Sequence, residues 1–226
     1  MAPPVVLVHG WGGSFQNTWS GTGIVDLLAD EGRRAIGVDL LGHGEAPKPH
    51  DPVEYADLTL RVIDVLPPLG PADAVGFSMG AMTLLQLACR QPERFGKLVV
   101  AGVGDGLFDG SSDRGERVAQ SLEGKGDSAD RAVEALADYG RSSGNDPLAL
   151  AAVMRRPLPE DPVTEERLSK VTAEVLVVIG EDDFAYPADR LAAAFPNAKL
   201  KVLRKTDHFA TPESFGFVDA VLRFLT

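Results

Sequence analysis

Six short apolar runs punctuate the chain: VVLV (5–8), AIGV (35–38), AVGF (74–77), LVVA (98–101), VLVVI (175–179) and LKVL (200–203). Each reads as apolar on both faces, without the alternating polar positions of a strand that has one wet side. Such runs suit strands buried between two helix layers, which is how parallel sheets are built. Helix-period segments separate them: GIVDLLADEG, LTLRVIDVL, AMTLLQLACRQ, DRLAAAF and SFGFVDAVLRFL. Strand and helix in alternation predict an α/β fold with right-handed crossovers. The expected architecture is a three-layer sandwich around a mostly parallel sheet of about six strands.

One interval breaks the rhythm. Residues 102–174, 73 in all, lie between the fourth and fifth runs, too many for one crossover. Glycine and charge dominate the first part (GVGDGLFDGSSDRGERVAQ). Two helix-like pieces follow, ADRAVEALADYG and DPLALAAVM, and then the proline-marked RRPLPEDP. The expectation is a single domain over residues 1–226 with a short helical cap inserted at about 104–165. Insertions of this kind sit over the site they serve.

Composition narrows the function classes. A chain of 226 residues that is 44% hydrophobic fits one domain with a substantial core. Asp and Glu number 33 against 22 Lys and Arg, a formal charge of −11 without a basic block. This argues against nucleic acid or an anionic membrane as partner, and weakly against anionic substrates. The single cysteine, Cys89, rules out an intramolecular disulfide or a multi-cysteine zinc site; in LLQLACR it reads as a small buried hydrophobe. The first residues, MAPPVVLVHG, have no basic segment and only a four-residue apolar run. No later stretch approaches membrane-spanning length. A cytoplasmic monomer or homodimer is expected.

Chemistry enters at G76-F77-S78-M79-G80, a G-x-S-x-G between a buried strand and a helix that begins at Ala81. A sharp strand-to-helix turn holds the serine in a strained backbone conformation with its hydroxyl exposed at the carboxyl end of the sheet. Gly76 and Gly80 are required because a side chain at either would strike the neighbouring strand or helix. A serine in a tight turn is common, so partners decide its role.

A serine hydroxyl needs a base. His9 (in HGWGG) and His43 (in DLLGHGEAP) lie on early loops, and His50 sits in proline-rich PKPHDP. His208, in KTDHFATPE, comes late, on a loop able to reach across the sheet's end. The order serine, acid, histidine, which accompanies this type of turn, favours His208. The imidazole in turn needs a carboxylate. G180-E181-D182-D183 places three acids just past a strand end, 25 to 27 residues before His208. Patterning leaves Glu181, Asp182 and Asp183 open, with Asp105 in GVGDG as a further candidate. The loop His9-Gly10-Trp11-Gly12-Gly13 offers backbone N–H groups to an oxyanion, together with the N–H of Met79. It lacks the GK[ST] of a phosphate-binding loop and fits the dinucleotide fingerprint poorly.

These motifs resemble the α/β-hydrolase fold family in the family's order, from HGWGGS through GVDLLGHGEAP, GFSMGA and VLVVIGEDD to DHFATPE. The HGWGG and GFSMG pair is similar to small carboxylesterases of the pimeloyl-ester hydrolase type. The family's strand-end pattern G-x-x-D falls on Gly180 and Asp183, so the resemblance implies Asp183 as the acid. It implies the N–H groups of Trp11 and Met79 as oxyanion donors, and structural roles for His9 and His43. Family members commonly carry an antiparallel hairpin before the HG strand. Only four residues precede Val5 here, so the sheet is expected without that antiparallel edge. The short, glycine-rich cap implies an open pocket.

The expected activity is therefore hydrolysis of a small-molecule carboxylic ester by a Ser78–His208–Asp183 triad, with no metal or organic cofactor. Phe15, Trp19, Leu107, Phe108 and Met79 are candidates for an apolar acyl pocket. Rival chemistries on the same triad are those of lactonases, C–C bond hydrolases, hydroxynitrile lyases and perhydrolases. A non-catalytic ligand-binding protein is the remaining alternative.

Overall fold

The computed structural model describes residues 2–110, 113–126 and 129–226. Strands β1 (Val5–Val8), β2 (Ala35–Val38), β3 (Ala72–Phe77), β4 (Phe95–Ala101), β5 (Glu174–Gly180) and β6 (Ala198–Leu203) form one sheet. Their order is β2-β1-β3-β4-β5-β6, and every neighbouring pair is parallel. Among the described residues there is no antiparallel edge.

Side chains alternate across the sheet with period two, and both faces are covered. From β1, Val6 and Val8 join one apolar layer, whereas Val5 and Leu7 join the other. The first layer is closed by α2 (Thr59–Ile63), α3 (Met79–Arg90), α7 (Glu165–Leu168) and α8 (Asp189–Ala193), through residues such as Val62, Leu84, Leu168 and Leu191. The second is closed by α1 (Ile24–Asp30) and α9 (Phe215–Leu225), through Ile24, Leu28, Phe217 and Val221. The three expected layers are present. One run behaves differently from its reading: in β6 exposure alternates along AKLKVL, with Lys199 and Lys201 in solvent. This strand ends the sheet, and charged residues there guard the open edge against pairing with another chain.

The segment between β4 and β5 carries α4 (Arg114–Leu122), α5 (Arg131–Ser142) and α6 (Pro147–Met154). The latter two are the predicted pieces, and each has an aspartate cap. Asp130 accepts the N–H groups of Ala132 and Val133, and Asp146 that of Leu148. Helix α4 falls in the stretch that reads as glycine and charge. It forms because Val118 and Ala119 make a narrow buried face, Val118 packing in the layer that contains Val133 and Leu150, while Glu116 and Arg117 stay at the surface. No helix among the described residues is long and apolar enough to cross a membrane.

Candidate active site

The sheet order reverses between β1 and β3: the chain steps from β1 to β2 on one side, then continues from β3 on the other. Loops leaving the carboxyl ends of β1 and β3 therefore diverge and open a crevice. Val8 lies opposite Gly76 in the ladder, so the loop after β1 and the turn after β3 emerge side by side.

Ser78 occupies that turn with φ 51° and ψ −116°, a left-handed-side conformation rare for a side-chain-bearing residue. The flanking glycines explain how the turn closes. A Cβ at Gly76 would stand 2.6 Å from the Cα of Ala81, and one at Gly80 would stand 2.3 Å from the carbonyl oxygen of Val8. Both obstacles are backbone, so neither can yield. Ser78 immediately precedes α3, whose first residue is Met79.

The histidine and acid arrive from β6 and β5. His208 Nε2 lies 3.0 Å from Ser78 Oγ, and His208 Nδ1 lies 2.9 Å from each carboxylate oxygen of Asp183. A carboxylate only accepts, so Nδ1 carries the proton; Nε2 then accepts from the serine hydroxyl. Asp183 and His208 are both buried, and Asp183 Oδ1 also accepts the Ala185 N–H at 2.8 Å. The remaining acids point elsewhere. Glu181 and Asp182 are exposed, Glu181 Oε2 accepts the Lys205 N–H, and Asp105 accepts the N–H of Leu191 in α8. The loop carrying His208 approaches β5 only because residue 180 is glycine: a Cβ there would sit 2.0 Å from the Thr206 carbonyl oxygen.

Trp11 and Met79 both border the Ser78 cavity. Met79 opens α3, so its N–H has no acceptor one turn back. Neither that N–H nor that of Trp11 donates within the loops and turns of the described residues. The Trp11 indole N–H donates to the Leu150 carbonyl at 3.2 Å, which anchors the loop to α6.

Of the other histidines, His9 and His43 are fully buried with ring centroids 5.1 Å apart. The Leu40 N–H donates to His9 Nε2, so His9 Nδ1 carries the proton and donates to the Gly10 carbonyl. His43 Nδ1 bonds the Leu41 carbonyl, and its Nε2 has no partner among the described residues. Burial lowers the pKa of both; His43 falls to about 3 with further help from His9. They are neutral loop anchors. His50 is exposed and pairs with Asp146 at 2.8 Å. Cys89 is half-buried, and burial pushes its thiol up to about 11. Among the described residues no group of three or more His, Cys, Asp or Glu is placed to hold a metal ion.

The cavity at Ser78, about 210 Å³, is lined by a different aromatic set from the one expected. Trp19 stacks on Phe217 in the layer on the far side of the sheet. Phe15 packs there too, against Gly37. Phe108 lies under the Arg190 guanidinium instead. Leu107 lines an adjoining open groove, and Met79 does line the Ser78 cavity. The aromatics present are Trp11, Phe77, Tyr139, Phe184 and Phe209. Phe77, Phe184 and Phe209 surround the His208 ring at centroid distances of 4.9, 4.2 and 5.8 Å. Each is the sequence neighbour of Ser78, Asp183 or His208. Two arginines, Arg114 and Arg156, also line the cavity, opposite in sign to the chain's net charge.

Comparison with known proteins finds relatives that span nearly the whole chain. The sequence model of the alpha/beta hydrolase family matches residues 5–220. A 2-hydroxy-6-oxononadienedioate/2-hydroxy-6-oxononatrienedioate hydrolase of Burkholderia vietnamiensis is 32% identical, covering 98% of this chain and 86% of its own length. An esterase of Mycobacterium tuberculosis is 37% identical over 45% of this chain and 33% of that protein. The enol-lactonase of Burkholderia xenovorans superposes with a TM-score of 0.73 at 21% identity, covering 100% of this chain and 92% of the other; this shows likeness of fold.

Proposed function

The chain belongs to the alpha/beta hydrolase family, and from that premise we propose that it hydrolyses carboxylic esters through a Ser78–His208–Asp183 triad. The observation that carries this reading is the hydrogen-bonded chain Oγ–Nε2–Nδ1–carboxylate, at 3.0 and 2.9 Å, starting from a serine at φ 51°. His208 takes the Ser78 proton as Oγ attacks the ester carbonyl, and Asp183 holds the ring and stabilises the imidazolium. The N–H groups of Trp11 and Met79 receive the oxyanion. The C–O bond then breaks, the alcohol leaves with the proton from His208, and an acyl-enzyme remains. Water deprotonated by His208 attacks that acyl-enzyme and releases the acid and free Ser78. In this reading the helices between β4 and β5, within about 104–165, are a cap over the site. The substrate is a small molecule, the working form a monomer or homodimer, and the compartment the cytoplasm.

A test is turnover of short p-nitrophenyl esters by the wild type, lost in Ser78→Ala. Cleavage of a carbon–carbon bond is the second reading. It is favoured by the 32% identity, over nearly the whole chain, to the 2-hydroxy-6-oxononadienedioate hydrolase. Turnover of that dienedioate with no turnover of any ester would select it.

A further inference from the structure

Arg155 and Arg156 are chain neighbours with opposite surroundings. Arg155 is tied to two carboxylates, donating to Glu116 on α4 at 2.7 Å and pairing with Glu123 just past the end of that helix. Among the described residues the Arg156 guanidinium makes one hydrogen bond, from Nη1 to the Val153 carbonyl at 2.9 Å. Among the described residues it has no carboxylate partner, although the chain carries an excess of 11 negative charges. Burial lowers its pKa. Arg156 is half-buried, and a partly desolvated guanidinium without a counter-ion carries a cost that an anionic ligand would offset.

What Arg156 faces is space. It borders both the cavity of about 210 Å³ at Ser78 and a second one of about 440 Å³, and the two share Arg156 and Met82. The first cavity also contains Trp11 and Met79, the residues proposed to hold the ester oxyanion. The open groove on the other side of Ser78, of about 690 Å³, contains neither of these nor Arg156. With the acyl chain laid in the Ser78 cavity, it runs toward Arg156 and leaves the groove to the alcohol. Arg114, stacked over Phe184 at 5.2 Å, adds a second cation where cavity and groove meet.

We propose that Arg156 is an anion subsite, and that the acid half of the substrate ends in a carboxylate, remote from the scissile ester, that this guanidinium receives. The inference rests on the ester-hydrolase reading for its orientation of the two halves. A carboxylate suits the site because its two oxygens match the flat fork of one guanidinium, and the surrounding walls supply few other donors. The chain between carboxylate and ester lies against Met79, Met82, Leu136 and Met154.

The test compares monomethyl hemiesters of dicarboxylic acids with the dimethyl diesters, over graded chain lengths, at low and high salt. Wild type is expected to favour the hemiester by about ten- to a hundredfold in kcat/KM at the best length, with the preference shrinking as salt rises. In Arg156→Gln the preference falls toward unity, and Arg156→Lys restores part of it. Equal turnover of hemiester and diester by the wild type overturns the proposal, as does an unchanged preference in Arg156→Gln. Should no ester react, the ester reading fails separately, and calorimetry on Ser78→Ala decides the subsite. Binding of the matching free dicarboxylate, weakened at least tenfold by Arg156→Gln, supports it; no binding overturns it. The wild-type preference for the hemiester does not depend on the Arg156 variants folding.

Discussion

Asn145, at the entry to α6, donates from Nδ2 to the Gly12 carbonyl at 2.9 Å and the Gly13 carbonyl at 3.2 Å, while its Oδ1 accepts the Gly44 N–H at 2.8 Å. One buried amide therefore joins the turn before α6, the loop after β1 and the loop after β2. Because Gly12 follows Trp11, Asn145 fixes the backbone that presents the Trp11 N–H. Asn145→Ala leaves these backbone groups unpaired and is expected to cost about 1–3 kcal/mol of stability. We expect kcat on short esters to fall by about ten- to a hundredfold with a much smaller change in KM. Steady-state kinetics with a thermal melt separates this positioning role from plain destabilisation.

Gly80→Ala tests the turn itself. The new Cβ has no room against the Val8 and His9 carbonyls, at 2.3 and 2.4 Å. The seam between β1 and α3 must open, carrying Ser78 away from His208. Loss of ester turnover and a drop of at least about 2 kcal/mol by denaturant unfolding are expected. Gly124, with nothing within 4 Å of its added Cβ, has a φ of +75°; Gly124→Ala is expected to cost only about 1 kcal/mol and keep activity.

His9 and His43 predict acid sensitivity. Both are held neutral in the fold, with pKa values below the ordinary 6.5. As pH falls below 6.5 the unfolded chain takes up protons that the folded chain refuses, so stability declines. For His43 the decline continues down to about pH 3, at up to about 1.4 kcal/mol per pH unit for each histidine. Carboxylates such as Asp57, held low by its hydrogen bonds to Thr59 and Arg90 despite burial, enter only nearer pH 4. Urea midpoints between pH 7 and 5 should therefore fall in the wild type and fall less steeply in His43→Gln.

These outcomes reflect what local sequence can specify. The strand-turn-helix around Ser78 was legible because Gly76, Gly80 and the apolar run before them are consecutive, and their constraints are backbone constraints. The six-strand sheet was legible for the same reason, through strand-length apolar runs. Choosing Asp183 over its neighbours depends on how Gly180 lets the Thr206 loop pack against β5, a contact between segments over twenty residues apart. Only the family resemblance pointed to it. Phe15 and Trp19 illustrate a limit: an aromatic after β1 can turn to either face of the sheet, and both turned away from the site. Helix α4 was hidden by its charges, since its two buried apolar positions, Val118 and Ala119, are too few to read as a stripe. Arg156 was invisible because net charge averages over a surface, whereas a pocket depends on which cations remain unpaired.

Asp183→Asn would keep the shape of the site and remove the charge that fixes the His208 tautomer. A loss of about 10⁴-fold in kcat is expected, with the melting temperature little changed. An unaltered kcat would transfer the orienting role to another acid.

The central claim is that Ser78 is a nucleophile, and active-site labelling tests it most directly. Folded wild-type protein should react with a fluorophosphonate, gain one phosphonyl group on the peptide containing Ser78, and lose ester hydrolysis in proportion. Ser78→Ala should take up no label and show turnover lower by about 10⁴-fold or more. Folded wild type that stays unlabelled, or a Ser78→Ala enzyme that still cleaves esters, would contradict the account.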